Sequence, residues 1–296
     1  MKKNIFRGSG VALITPFDEN NNINYDKLDE LIEYQIENKT DAIIVCGTTG
    51  ESATLTDEEQ SEVIKKTLEK VNKRIPVIAG TGTNDTEHTI KLSKNAEALG
   101  VDGLLIVTPY YNKTSQKGLI EHYTKIADSV NIPIILYDVP SRTGMTISPE
   151  TSKILSNHPN IVALKDATGD FSKLSEIMSL CKDNLQIYSG NDDVITPTIS
   201  LGGIGVISVL SNINPKLTHN IVHSALNNDF KLSKELQLNN LKLINKLFCD
   251  INPIPVKEAL NMMGFQVGDC RLPLYKLSEK EHNELKETLK EYGLIK

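Results

Sequence analysis

Short apolar segments recur along the chain, and segments with helical signatures separate them. Eight such segments are nearly continuous in apolar and β-branched residues and are bounded by Gly or Pro: residues 11–17, 41–47, 76–82, 103–109, 133–140, 161–168, 185–190 and 205–210. Continuous apolar runs of this length, unlike alternating ones, are typical of parallel strands that are buried on both faces. The pattern therefore predicts eight parallel strands.

The segments between these strands carry helix-start signals. Residues 56–59 (TDEE) form a capping-box pattern that opens a helix ending near Val71, and residues 148–150 (SPE) place Pro at a first helical position. Eight βα repeats match the closure of an α/β fold of the (β/α)8 TIM-barrel type better than an open sheet. We expect this barrel over residues 1–226. Because the strand signal stops after Leu210, we expect a C-terminal helical extension, residues 227–296, packed on the barrel.

Composition and charge narrow the function. The chain has 296 residues, with 32 Lys and Arg against 38 Asp and Glu, and the net charge of −6 argues against a nucleic-acid partner. No apolar run approaches the roughly 20 residues that cross a bilayer, so we expect no membrane partner. No apolar stretch follows the lysines near the N-terminus, which predicts a cytoplasmic location. The four cysteines are widely spaced and are interpreted as free thiols.

Candidate chemistry lies at the C-terminal ends of the predicted strands, where barrels of this type build their sites. Lys165 lies in the sixth strand, where burial favours the neutral amine that forms a Schiff base with a carbonyl. A lysine that extends to solvent or pairs with Asp166 is the alternative. Tyr137 lies at the matching height on the preceding strand, and a phenol held by the Thr48 hydroxyl can transfer the protons that Schiff-base formation requires. Taken singly, each of these hydroxyl residues also fits a structural role.

Two further features suit small anions. Gly47 and Gly50 flank two threonines, and the exposed backbone N–H and hydroxyl groups there suit a carboxylate, although a plain tight turn has the same sequence. Arg142, in the loop after the fifth strand, offers a bidentate fork for a second carboxylate, with a surface arginine as the alternative. The glycines of residues 202–205 lack an accompanying basic residue, so phosphate binding is not favoured there.

The histidines and acidic pairs give no support for a metal site. His219 and His223 are four residues apart, but the segment lacks the Glu of HExxH and shows no evident third ligand, so a surface helix is predicted. The acidic pairs at residues 18–19 and 192–193 are expected in solvated turns or helix caps. We expect no metal.

Taken together, GTTGE at residues 47–51, Tyr137 followed by VPSRTG at residues 139–144, and Lys165 resemble the pyruvate-dependent class I aldolase/lyase family. Within that family they resemble the enzymes that condense pyruvate with L-aspartate 4-semialdehyde. The resemblance runs from about Gly8 to the C-terminal helices. It implies a carbon–oxygen lyase of lysine and diaminopimelate biosynthesis that works through a Schiff base and enamine on Lys165, with no cofactor.

The resemblance also implies a role for each site residue. Tyr137 would be the proton donor, in a relay with Thr48 and with Tyr111, which family members insert from the neighbouring subunit. Four residues would bind substrate: Thr49 and the backbone at Ile207 for pyruvate, Arg142 for the carboxylate of the semialdehyde, and Gly190 along the pocket wall. The family is usually a homotetramer, a dimer of dimers, although tight dimers occur.

Two departures from the family pattern stand out. Asp138 replaces the Asn that many relatives carry after the tyrosine, which could alter the charge near Arg142 but is expected to be tolerated. Gln60 and His88 stand where lysine-inhibited relatives commonly carry His and Glu. Because His88 removes an anionic partner for the lysine ammonium group, we predict weak or absent feedback inhibition by lysine.

Two other functions are compatible with part of the pattern. N-acetylneuraminate lyase or another sugar-acid aldolase of the same superfamily would share Lys165 and Tyr137, but Arg142 favours a short dicarboxylic product. A catalytically silent sensor of pyruvate or an amino acid would be expected to have lost Lys165, Tyr137 or Thr48, and all three are present.

Overall fold

The computed structural model describes residues 2 and 4–296 and forms a closed barrel of eight parallel strands in chain order. Residues 1 and 3, at the start of the predicted barrel segment, lie outside the described residues. The strands are β1 (Gly8–Ala12), β2 (Ala42–Val45), β3 (Val77–Gly80), β4 (Gly103–Val107), β5 (Ile134–Asp138), β6 (Ile161–Asp166), β7 (Gln186–Ser189) and β8 (Gly205–Ser208). The predicted eight-stranded barrel is confirmed.

Helices connect the strands and continue after the barrel closes. The helices are α1 (Tyr25–Glu37), α2 (Asp57–Val71), α3 (Thr86–Leu99), α4 (Gln116–Asp128), α5 (Pro140–Thr143), α6 (Pro149–Leu155), α7 (Phe171–Cys181), α8 (Ile195–Ser200), α9 (Pro215–Leu226), α10 (Phe230–Asn239), α11 (Leu241–Lys246), α12 (Ile254–Met262) and α13 (Glu279–Glu291). Both predicted starts are confirmed, because Thr56 closes a capping box on α2 and Ser148 caps α6 ahead of Pro149. In the described part of the chain, no helix combines the length and apolar character of a membrane span.

The strands are buried on both faces, which accounts for their continuous apolar sequences. On β5, Ile135 and Tyr137 join a cluster with residues from all eight strands, which fills the barrel interior. Ile134 and Leu136 of the same strand join the core between the barrel and its helices. Because successive side chains of a strand point to opposite faces, every second residue points into the barrel. The four cysteines are free thiols, as predicted.

The predicted position of the first strand is wrong. Residues 11–17 carry the apolar run, but β1 is Gly8–Ala12, whereas the other seven strands lie within their predicted segments. The strand begins with Gly-Ser-Gly, and a search for apolar residues does not detect such a segment. Small residues are needed here, because a Cβ on Gly10 would lie 2.7 Å from Ile44 Cδ1.

The C-terminal helices share a core with the barrel. Buried side chains of α11, α12 and α13, such as Ile244, Leu260 and Leu289, belong to the same cluster as the outward-facing strand residues. The boundary between residues 226 and 227 stays a prediction. It matches the end of α9 at Leu226.

Candidate active site

Lys165 projects into the barrel next to Tyr137. The parallel register of β5 and β6 pairs the two residues directly. Lys165 is 6% exposed and Tyr137 is 7% exposed. The Nζ of Lys165 lies 4.1 Å from the centre of the Tyr137 ring. The fold therefore brings the predicted nucleophile and the predicted proton donor into contact.

The surroundings of Lys165 favour its neutral amine. Burial lowers the pKa of Lys165 to about 7, the buried Asp192 carboxylate opposes the change, and the Arg142 charge adds to it. A neutral amine is the nucleophilic form, and at this pKa a large fraction of it is present at neutral pH. The position is thus suited to attack on a carbonyl carbon.

Asp192 is not in the solvated turn that its sequence suggested. It is 2% exposed, and its Oδ2 accepts hydrogen bonds from the backbone N–H groups of Val209 (3.0 Å) and Leu210 (2.9 Å). Of the two expected settings, a solvated turn or a helix cap, the solvated turn is wrong, because the buried carboxylate accepts from the backbone N–H groups at the start of the 3-10 turn Leu210–Asn212. Asp192 thereby joins the two loops close to Lys165.

Tyr137 is held as a neutral phenol. Burial raises its pKa, while the Arg142 charge and the Thr48 hydroxyl each offset part of the rise. A protonated phenol beside an amine can donate or relay a proton. Lys165, Tyr137 and Thr48 therefore form a connected group, with Thr48 at its outer end.

A cavity of about 330 Å³ opens at the outer end of this group. Thr48, Arg142, Tyr110 and Asn252 are among its lining residues. Asn252 connects two predicted binding residues, because its carbonyl accepts from Arg142 Nη2 (2.9 Å) and its Nδ2 donates to Thr49 Oγ1 (3.0 Å). Sequence reasoning missed Asn252, which lies in the extension just before α12 and carries no recognisable motif.

The remaining predicted binding residues lie at the barrel's catalytic end. Thr49 is 3% exposed and Ile207 is fully buried. The Gly190 N–H donates to the Asp166 carbonyl (2.6 Å), and a Cβ on Gly190 would lie 2.7 Å from the Ala167 Cβ. Gly190 is thus required by close packing. The contacts of these residues with substrate stay predictions.

Tyr111 is not brought to the other catalytic candidates by its own chain. It is 92% exposed and has a left-handed backbone conformation with φ of 69°. A side chain with so little buried surface does not pack against the buried Tyr137. Its predicted insertion into a neighbouring subunit stays a prediction.

The loop after β2 is anchored by a buried ion pair that sequence reasoning missed. Lys257 of α12 donates to Glu51 Oε1 (2.9 Å), and the Arg271 backbone N–H donates to Glu51 Oε2 (2.9 Å). Lys257 is 1% exposed and Glu51 is 4% exposed. The available signal was a lysine at an apolar position of the helix, between Ile254 and Leu260 on the buried face. The extension thus fixes the loop that carries Thr48 and Thr49.

Asp138 turns away from the barrel interior. Its fully buried Oδ2 accepts from Lys173 Nζ and Thr146 Oγ1 and from the Ile147 N–H (3.0 Å). Because adjacent strand residues point to opposite faces, Asp138 lies on the outer side while Tyr137 faces inward. The ion pair with Lys173 balances the charge that this replacement introduces.

Gln60 and His88 are both engaged in hydrogen bonds within the chain. Gln60 Nε2 donates to the Ser52 carbonyl (3.1 Å), and His88 Nε2 lies 2.9 Å from Asp57 Oδ1. The prediction of weak or absent lysine feedback stays untested.

Comparison with known proteins identifies the relatives of this chain. The model of the Dihydrodipicolinate synthetase family matches residues 5–292. The chain is 56% identical to the 4-hydroxy-tetrahydrodipicolinate synthase of Acetivibrio thermocellus over 100% of both chains. It is 57% identical to that of Caldicellulosiruptor saccharolyticus over 98% of both chains. The crystal structure of dihydrodipicolinate synthase from Aquifex aeolicus superposes with a TM-score of 0.95 at 45% identity, covering 98% of this chain and 99% of that one.

Proposed function

The chain belongs to the dihydrodipicolinate synthetase family, and we propose that it condenses pyruvate with L-aspartate 4-semialdehyde through a Schiff base on Lys165. It is a lyase of lysine and diaminopimelate biosynthesis. The observation that carries the mechanism is the burial of Lys165 against the Tyr137 ring, with the lysine pKa lowered to about 7. The relatives at 56% and 57% identity favour this reaction over that of N-acetylneuraminate lyase.

The chemistry begins at the amine of Lys165. Its Nζ attacks the carbonyl carbon of pyruvate, and the resulting carbinolamine loses water to give the Schiff base. Loss of a proton from the methyl carbon gives an enamine, and that carbon attacks the aldehyde carbon of the semialdehyde. The amino group of the semialdehyde then adds to the imine carbon, which closes the ring and releases Lys165 as an amine.

Tyr137 is the proposed proton donor and acceptor for these steps. Its ring contacts the Lys165 amine, and its phenol is protonated because burial raises its pKa. Thr48 passes protons between Tyr137 and the cavity that it lines. Tyr111 of the neighbouring subunit completes the relay, and its 92% exposure leaves it free for such a role.

The carboxylates of the two substrates are bound at two separate places around Lys165, Tyr137 and Thr48. Thr49 and the backbone at Ile207 hold pyruvate, while Arg142 at the cavity rim binds the carboxylate of the semialdehyde. Gly190 forms part of the wall. The hydrogen bonds through Asn252 that tie Thr49 to Arg142 support a fixed distance between the two carboxylate sites.

The assembly that fits this proposal is a homotetramer, a dimer of dimers, in the cytoplasm. The covalent lysine supplies the electron sink, so the reaction is proposed to need no cofactor and no metal. If the relay crosses subunits, Tyr111→Phe is expected to slow turnover sharply while leaving each chain folded. Wild-type activity in that variant would exclude Tyr111 from the relay.

The proposal is tested by trapping the Schiff base. The protein is incubated with pyruvate and borohydride, and its intact mass is measured. We expect one reduced pyruvate adduct per chain in the wild type and in Lys280→Met, a control at a lysine whose side chain is 84% exposed. Lys165→Ala is expected to form none. An adduct that persists in Lys165→Ala would overturn the assignment of the nucleophile.

A further inference from the structure

Two histidines and one aspartate converge at the end of the barrel opposite the active site. His219 and His223 lie one turn apart on α9, and Asp41 immediately precedes β2, at the N-terminal end of that strand. The sequence suggested a surface helix with no third ligand, but both imidazoles are half-buried and the fold supplies Asp41. Within residues 2 and 4–296, this is the one group of three His, Cys, Asp or Glu side chains whose ligand atoms lie within 4.8 Å of one another.

Two of the three separations between the ligand atoms are close to those of a tetrahedral metal site, and the third is below 4.8 Å. Asp41 Oδ2 lies 2.8 Å from His223 Nε2 and 3.7 Å from His219 Nδ1. Ligands 2.0–2.1 Å from a tetrahedral zinc ion are separated by about 3.3 Å, so the two distances bracket the required edge. Shifts of about half an ångström would therefore bring Asp41 Oδ2 to that distance from both nitrogens.

One nitrogen in the group is buried with its hydrogen-bonding capacity unused. His219 Nδ1 is inaccessible to water and forms no hydrogen bond with the part of the chain that the structure describes. The two imidazole rings stack with centres 3.9 Å apart, so two positive charges on them would repel strongly. A cation held between the ring nitrogens and the carboxylate satisfies the orphaned nitrogen, and it requires neutral rings.

The backbone around Asp41 holds the carboxylate in place. The Ser9 N–H donates to Asp41 Oδ2 (2.7 Å), which fixes its direction. Residue 8 is Gly, and a Cβ there would lie 2.0 Å from the same oxygen. The carboxylate thus occupies a cradle that is formed by β1 and faces α9. Outer hydrogen bonds of this kind are typical of metal ligands.

We propose that Asp41, His219 and His223 bind a zinc-like divalent metal ion, with water as the fourth ligand. Two imidazoles and one carboxylate suit Zn²⁺ and Co²⁺, whereas Mg²⁺ and Ca²⁺ prefer sites made of oxygen atoms alone. The ion ties α9, which follows the last strand, to the start of β2 beside β1. It fastens the barrel near the seam where β8 closes onto β1, and it does not enter the reaction on Lys165.

Titration of metal-free protein with Co²⁺ tests the site, because tetrahedral cobalt has a characteristic visible absorption. We expect one Co²⁺ per chain in the wild type, displaced by Zn²⁺. His219→Ala and His223→Ala each remove one ligand and are expected to weaken binding by about 100-fold. Asp41→Asn can still accept from Ser9 but loses the anionic ligand, and it is expected to weaken binding as well.

The matched control is His158→Ala. His158 also pairs with a carboxylate, at 3.0 Å from Asp128 Oδ1, but it belongs to no group of three possible ligands among residues 2 and 4–296. We expect it to bind Co²⁺ as the wild type does, and Zn²⁺ to raise the Tm of both. The pyruvate adduct on Lys165 reports whether each variant is folded. Equal Co²⁺ binding by the wild type and His223→Ala, or no bound Co²⁺ in the wild type, would overturn the proposal.

Discussion

The molecule buries two lysines in two different ways. Lys165 on β6 is 6% exposed, and Lys257 on α12 is 1% exposed. Lys257 donates to Glu51 Oε1 (2.9 Å) and to the carbonyls of Thr15 (3.1 Å) and Asp269 (2.8 Å). Both ammonium groups lie over an aromatic ring, Lys257 over Phe17 (4.2 Å) and Lys165 over Tyr137 (4.1 Å), but no side chain of residues 2 and 4–296 forms an ion pair with Lys165.

The difference separates a structural lysine from a reactive one. Burial lowers the pKa of both. In Lys257 the Glu51 carboxylate opposes the effect through a direct hydrogen bond, whereas in Lys165 the Asp192 carboxylate opposes it by charge alone and the pKa falls to about 7. In both lysines, burial destabilises the charged ammonium relative to the neutral amine. The partner decides whether the amine stays charged and anchors a loop, or becomes available as a nucleophile.

The largest expected effect follows from removing the structural lysine. Lys257→Met leaves the Glu51 carboxylate buried without its partner, which is expected to lower the free energy of unfolding by about 3–5 kcal/mol. Urea denaturation at pH 7 measures it. The double variant Glu51→Gln with Lys257→Met removes both charges and should recover much of the loss. A single variant as stable as the wild type would show that the ion pair is not an anchor.

The reactive lysine is expected to respond in the opposite direction. Its pKa is about 7 in the folded chain against 10.5 for an ordinary lysine, so the unfolded chain binds the proton more tightly. The resulting penalty on folding is complete below pH 7, declines between pH 7 and 10.5, and is absent above. The full difference of 3.5 pKa units is worth about 5 kcal/mol as an upper bound. Because the structure relaxes around a buried cation, Lys165→Met should raise the free energy of unfolding by about 2–4 kcal/mol at pH 6.

The pH dependence of the stability gain is the control for Lys165→Met. The gain should shrink steadily as the pH of the urea denaturation rises from 7 toward 10.5. The pyruvate adduct must be absent throughout. A gain that does not change with pH would mean that Met packs better, and that the charge on Lys165 carries no penalty in the folded chain.

The barrel and the core of its site were accessible from the sequence. Seven strands were placed by their continuous apolar runs, because burial on both faces leaves a direct imprint on residue type. The strand period then placed Tyr137 beside Lys165, as the register of β5 and β6 confirms. Only β1 was misplaced, since the glycines at its start serve close packing, which hydrophobicity does not record.

The partners of the buried polar groups were not accessible. Lys165 and Lys257 look alike in the sequence, each a lysine within an apolar segment. Glu51 lies 206 residues from Lys257, and Asn252 lies 203 residues from Thr49. Asp41 likewise meets His223 across 182 residues. Such pairings depend on the closure of the barrel and the docking of the extension. The local pattern of residue types around each partner does not predict them.

The reactivity of Lys165 should follow the pKa that its burial sets. Below pH 7 the amine is mostly protonated, so the rate of Schiff-base formation with pyruvate should fall about tenfold for each unit of pH. Above pH 7 the rate should level off. Stopped-flow trapping with borohydride across pH 5 to 9 measures this profile. A rate that keeps rising beyond pH 9 would place the pKa of Lys165 near that of an ordinary lysine.

A smaller effect, on substrate binding, is expected from the uncharged contact of the C-terminal extension with Thr49 and Arg142. Asn252 accepts from Arg142 and donates to Thr49, so Asn252→Ala frees the Thr49 hydroxyl from one neutral hydrogen bond, worth about 1 kcal/mol. The Arg142 contact is to the backbone carbonyl and survives. We expect KM for pyruvate to rise about fivefold, with kcat nearly unchanged and the pH profile unmoved, because Lys165 is not touched.

Asn261→Ala is the matched control for that change. Asn261 also lies in the extension and bonds to backbone, through the Gly268 carbonyl (3.0 Å) and the Val267 N–H (2.7 Å), but it contacts neither Thr49 nor Arg142. It should lower stability and leave KM alone. If both variants raised KM equally, the extension would act on the site only through its general packing. If Asn252→Ala alone does so, the extension positions individual binding groups as well as anchoring the loop through Lys257.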